Sequence, residues 1–206
     1  MSENTPETEL AARIREDAGR PAEIERFLDG LGHADRVRAV RGVGRREQAK
    51  LYAAVEGYRP VALGDLVPKS AADMTAVRHF GKNTLPAFTH FEKRFCRPAD
   101  QDPERPGQLY GFNFQSMSPV TGPGYFVAEP SAERADSEIW VDYRRVPPGP
   151  PEGWPPIRPN ERGLSRFIYG FMVDTLRGVS HHVTVGSAAR KGKDLGSWFL
   201  LTRDAS

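Results

Sequence analysis

At 206 residues the chain is long enough for one full hydrophobic core, or for one core with a small helical module appended. A hydrophobic fraction of 38 % against 27 % charged residues excludes global disorder, and no apolar run approaches the roughly 18 residues that span a bilayer. The formal net charge of +2 argues against nucleic acid as the main partner, and the single cysteine, Cys96, excludes an intrachain disulfide. The acidic start, Met-Ser-Glu-Asn-Thr-Pro-Glu, carries no secretory signal, so a soluble, cytoplasmic protein without membrane association is expected.

Residues 1–60 read as a helical module. Leu10, Ile14 and Ala18 form one apolar stripe, and Pro21 stands at the start of a second helix carrying Ile24, Phe27, Leu28 and Leu31. Two further helices are predicted from about Ala34 to Arg41 and from about Arg45 to Val55, on either side of Gly42-Val43-Gly44. Arg36, Arg38, Arg41, Arg45, Arg46 and Lys50 gather around that turn, where free amides at a helix start can receive a phosphate. The turn resembles the hairpin of helix-hairpin-helix DNA-binding modules. Ala49, however, lies one residue later than the small inward residue of that pattern, and only one such hairpin is present, so an ordinary turn with solvated arginines is expected.

Residues 57–83, punctuated by Gly57, Pro60, Gly64, Pro68 and Gly81, read as a connector to a second domain spanning 61–206. Residues 84–96 fit either a helix or a strand, and Pro86 near the start with Arg97-Pro98 as a stop favours helix. A polar loop, 97–107, precedes three strands at Gln108–Gln115, Gly124–Ala128 and Glu138–Arg145. Residues 146–160 form a second long loop, whose prolines suit an extended crossover anchored by Trp154 and Ile157. Leu164, Phe167, Ile168, Phe171, Met172, Thr175 and Leu176 recur at helical steps, predicting an amphipathic helix at about 163–177 that ends at Gly178. A strand from Val179 to Ser187 follows, then a basic loop, 188–195, and a last strand from Gly196 to Arg203. The expected fold is α+β: the helical module, then an antiparallel sheet of five or six strands packed against the helix at 163–177.

The sequence carries no phosphate-binding loop, dinucleotide fingerprint, nucleophile elbow or zinc-protease motif. With five histidines and one cysteine a Cys-rich zinc site is excluded, and no cofactor or metal is expected. His181 and His182, adjacent on the expected strand, would point to opposite faces, with Asp174 placed to orient one of them, and these three are the candidate catalytic residues. Aromatic and polar residues on the other strands, Tyr110, Phe112, Asn113, Trp140, Asp142 and Tyr143, are the candidate ligand-binding set. The leading expectation is therefore a small, partly apolar ligand held between the helix at 163–177 and the sheet, with cofactor-independent acid/base chemistry as its catalytic version. The alternatives are a protein partner engaged by the N-terminal helices or the proline-rich crossover, and, further off, a nucleic-acid accessory role.

Overall fold

The computed structural model describes residues 5–17, 19–85, 89–114, 123–149, 151–157, 160 and 169–204. Four helices come first, as their apolar spacing predicts: α1 (Pro6–Asp17), α2 (Pro21–Asp29), α3 (His33–Gly42) and α4 (Arg45–Ala54). At 9 to 12 residues each, they are too short to hold their shape alone in water. Leu10, Ile14, Ile24, Leu28, Val40 and Leu51 are buried in one cluster with Val179, Val183, Val185 and Leu200, so the helices gain stability by covering a sheet surface. At about 1.5 to 3 kcal/mol per large aliphatic side chain, this burial offsets the entropy of ordering them. The stripe on α1 and α2 is consequently buried rather than presented to a partner.

The rest of the chain is a closed up-and-down barrel of eight strands: β1 (Val77–Asn83), β2 (His90–Cys96), β3 (Leu109–Phe114), β4 (Tyr125–Pro130), β5 (Glu138–Asp142), β6 (Met172–Gly178), β7 (Val183–Arg190) and β8 (Lys193–Arg203). Each strand is antiparallel to the next, and β8 returns to β1, with Gly81 opposite Leu201, so no edge remains exposed. A short helix, α5 (Leu63–Leu66), lies in the predicted connector, and with Val61 and Val67 it joins Val77, Phe95, Leu109, Ile139, Leu176 and Leu201 in a cluster that closes one end.

The α+β class holds, but the open sheet of five or six strands is corrected to a closed barrel, and three local readings change with it. The segment at 172–178 is β6 rather than the end of a helix; residues 163–168 of that expected helix lie outside the described residues. Met172 and Leu176 are four apart, a spacing that satisfies both a helical face and one side of a strand. The alternation of inward Met172, Asp174 and Leu176 with outward Val173, Thr175 and Arg177 suits a pleated wall, and the pairing of β6 with β5 and β7 decides it. Residues 90–96, expected helical, form β2 by the same rule, with Phe91, Lys93 and Phe95 inward. The strand expected from Val179 begins only at Val183, because residues 179–182 form a tight turn in which the amides of Val179 and Ser180 both donate to the Val183 carbonyl. The expected loop 188–195 shrinks to a two-residue turn, Lys191-Gly192, with φ of 52° and 74°, the left-handed pair that matches hairpin twist.

Two glycines show how tightly the wall is drawn. Gly178, expected to end a helix, instead lets the chain at Arg59 bridge to β6; a Cβ there would meet the Arg59 carbonyl oxygen at 2.7 Å. Gly111 faces inward on β3, and a Cβ would lie 2.3 Å from the Phe126 ring and 2.6 Å from the Arg94 carbonyl oxygen. Gly→Ala in a strand is ordinarily neutral or favourable, but here one contact is backbone and cannot swing away. Gly111→Ala is expected to lower the unfolding free energy by about 2 to 3 kcal/mol in urea titration. An unchanged or raised midpoint would show that the interior is looser than described.

Candidate functional site

The opposite end of the barrel opens into a cavity of about 350 Å³. It sits where β1, β3, β5 and β7 finish and β2, β6 and β8 begin. Phe91, Tyr143, Tyr169, Met172 and Phe199 form its walls, Arg45 and Arg190 stand among the residues lining it, and Lys93, Asn113 and Asp174 supply its polar groups. An eight-stranded barrel leaves an interior wide enough either for its own side chains or for one small ligand, and this one divides the two along its axis.

Four polar side chains meet inside the apolar wall. Lys93 and Asn113 are cross-strand partners on β2 and β3, and Asp174 reaches them from β6. The Lys93 ammonium donates to Asp174 Oδ2 at 3.0 Å, to Asn113 Oδ1 at 3.2 Å and to the Tyr143 hydroxyl, so all three of its protons are used. The Tyr143 hydroxyl also accepts from Asn113 Nδ2 at 2.8 Å and donates to Asp174 Oδ2 at 3.1 Å. Asp174 Oδ1 is buried with no hydrogen-bond partner among the described residues. Lys93 Nζ lies 4.8 to 5.1 Å from the ring centroids of Phe126, Tyr143 and Phe199, within cation–π range.

This surrounding sets the protonation chemistry. Burial pulls the Lys93 amine below its ordinary value, with Asp174 drawing it partly back. Burial likewise pushes the Asp174 carboxyl up, against the pull of Lys93 and Tyr143. Both groups are thus displaced toward their neutral forms, the condition in which a proton passes readily between them. Burial also raises Tyr143 well above a free phenol, the Asp174 charge adding to it, and lifts Tyr169, stacked on Tyr143 with centroids 5.4 Å apart, to about 12.

Of the residues anticipated from sequence, Asp174, Asn113 and Tyr143 converge here and the others do not. Tyr110 and Phe112 alternate with the inward positions of β3 and face outward; Phe112 packs 4.6 Å from Trp154, which does anchor the proline-rich crossover as expected. Trp140 also faces outward, lining a groove on the outer wall with Tyr52 and Val173. Asp142 fixes the turn after β5, its two oxygens accepting from Arg144 Nε and Nη2 at 2.8 Å each. His181 and His182 lie in the β6–β7 turn at the closed end, beside a void of about 10 Å³ that has room for little more than a water. The His181 amide donates to Asp29 of α2, tying this turn to the helices, and His182 Nδ1 lies 3.3 Å from Arg203 of β8. The cavity described above lies inside the barrel, and residues 172–177 of the helix expected to cover a pocket are part of strand β6.

The residues that sequence reasoning missed are Lys93, Phe91 and Tyr169. The signal lay in His-Phe-Glu-Lys-Arg-Phe-Cys: read with period two, it sets a lysine between two phenylalanines on one face, an arrangement that requires a partner for the charge. Cys96 is buried, and its thiol is pushed up to about 12 by desolvation, so it is not an activated nucleophile.

At the arginine-rich turn the guanidinium groups have structural employment. Arg36 is buried and donates to Thr202 and the Leu31 carbonyl, Arg41 lies over Phe80, and Arg45 donates to the Gly196 carbonyl beside Trp198. Among the described residues no group of three His, Cys, Asp or Glu side chains is placed to hold a metal ion, and no helix is long and apolar enough to cross a membrane. Comparison with protein-family models, with curated proteins and with solved structures finds no match for this chain.

Proposed function

We propose that this protein binds a small, partly apolar molecule inside its barrel, with the apolar part against Phe91, Tyr169, Met172 and Phe199 and the polar part toward Lys93, Asp174, Tyr143 and Asn113. The observation that carries the reading is a cavity of about 350 Å³ that opens onto a buried, hydrogen-bonded ion pair within aromatic walls. A core that only needed filling would place apolar groups at these positions, since a buried pair seldom adds net stability over well-packed hydrophobic residues. Within this reading Asp174 and Lys93 are the groups positioned to take a proton from, or give one to, a bound molecule, which is the acid/base version of the same site.

The test uses anilinonaphthalene sulfonate as a fluorescent occupant, together with native mass spectrometry of the protein as purified. Saturable fluorescence enhancement is expected for the wild type. Ala188 lines the cavity from β7, and Ala188→Phe places a ring in it; this variant is expected to weaken probe binding by at least about tenfold, some 1.4 kcal/mol, while retaining the far-ultraviolet dichroism of the barrel. Equal binding by the variant would place the dye elsewhere, and no saturable binding by the wild type would count against a ligand cavity.

A further inference from the structure

We infer that Lys93 holds an aldehyde or ketone ligand covalently, as an imine formed at Nζ within the barrel. The inference rests on the cavity reading above and names the ligand class of that site. The lysine side chain is 1 % exposed, yet Lys93 is among the residues that line the cavity, so a ligand that enters meets this side chain without displacing a strand. Imine formation needs an amine that can shed its proton, a base beside it, a source of protons for the departing oxygen, and little competing water. Asp174 Oδ2 at 3.0 Å is the base, and the Tyr143 hydroxyl, in contact with both Nζ and Asp174, is a relay. The unpartnered Asp174 Oδ1 is a buried acceptor with spare capacity, the feature that a self-contained structural ion pair would not require. The desolvation that lowers the Lys93 amine and raises the Asp174 carboxyl favours the same proton transfer.

The step balances without a further reactant. Lys93 passes one ammonium proton to Asp174, and the nitrogen lone pair bonds to the carbonyl carbon as the C–O π pair moves onto oxygen. A second nitrogen proton reaches that oxygen through the Tyr143 hydroxyl, giving a neutral carbinolamine. Asp174 then returns its proton to the carbinolamine hydroxyl, water leaves, and the nitrogen lone pair closes the C=N bond. The product is an iminium that keeps one proton and its positive charge, paired with the regenerated Asp174 carboxylate. The charge inside the barrel is the same before and after, so the site is not asked to bury a new one.

Naphthaldehyde with cyanoborohydride at neutral pH provides the test, because hydride traps an iminium as a stable secondary amine. The expected result is an adduct, the mass of the aldehyde less one oxygen plus two hydrogens minus water's hydrogens, mapped by peptide digestion to Lys93. It should form at least about tenfold faster there than at Lys50, Lys69, Lys82, Lys191 or Lys193, and disappear in Lys93→Arg. Mapping on the wild type decides the matter even where Lys93→Arg folds poorly. Adducts on the other lysines alone, or none, with anilinonaphthalene sulfonate still bound in an Ala188→Phe-sensitive manner, would overturn the imine and leave the cavity reading standing. Loss of both signals would overturn the two together.

Discussion

Replacing Lys93 by Met is expected to cost on the order of 3 to 5 kcal/mol of unfolding free energy near neutral pH, as measured by denaturant titration. Both side chains of the pair are almost fully buried, at 1 % and 2 % exposure, so removing the ammonium strands the Asp174 carboxylate in a medium that cannot solvate it. The double variant Lys93→Met with Asp174→Leu is expected to recover at least about 2 kcal/mol relative to the sum of the single changes, since neither orphaned charge remains. The single variant also has a diagnostic pH dependence. A carboxyl whose folded pKa is raised above its unfolded value binds its proton more tightly when folded, so the variant's deficit should shrink as pH falls and grow as pH rises through that folded value. Additive single and double effects, with no pH trend in the deficit, would show that the pair contributes no coupling.

The second large effect is acid lability through His79. This residue is buried on β1, its Nε2 lies 2.9 Å from the Leu66 carbonyl oxygen, and its ring meets Phe95 edge-on at 4.8 Å. Desolvation holds it down to about 3, against the opposing hydrogen bond to Leu66 and with the help of the Arg203 and Lys93 charges. The unfolded imidazole titrates near its ordinary value of about 6.5, so across the interval between the two values the unfolded chain binds a proton that the folded chain refuses. The stability associated with neutral His79 is therefore fully present above about pH 6.5 and falls by about 1.4 kcal/mol per pH unit as pH drops toward 3. His79→Gln keeps a donor for the Leu66 carbonyl and removes the titration. It is expected to be less stable than the wild type at pH 8 and to flatten the acid slope, so that the two curves converge or cross near pH 4. Parallel curves would mean that His79 is not the group responsible.

Both experiments probe residues whose neighbours come from distant parts of the chain, and that separates what could be read in advance from what could not. The N-terminal helices were legible because each is specified locally: Pro21 sets a helix start, and Leu10, Ile14, Ile24 and Leu28 recur at helical steps over short spans. Strands β3, β4, β5 and β8 were legible for the same reason, through alternation over a few residues. Asn113 and Tyr143 stand out in the sequence as polar groups on aromatic strands, and Asp174 as a partner for the histidines at the end of an expected helix, but nothing in the sequence joins the three, and Lys93 stays hidden when its segment is read with a helical period.

By itself the sequence determined the α+β class, the helical start, the absence of common catalytic motifs and the choice of three of the four polar groups in the cavity as candidates. Only the tertiary structure decided that β1 meets β8, that 172–178 is a strand, that His181 and His182 sit at the closed end, and that the carboxylate of β6 faces the lysine of β2. The physical reason is that a spacing of four residues serves a helix and a strand equally well, so local pattern leaves the choice open. Barrel closure removes the ambiguity: every backbone donor and acceptor on an edge must find a partner, and once the ring is complete, each strand's inward face is set by the neighbours to which it is hydrogen-bonded.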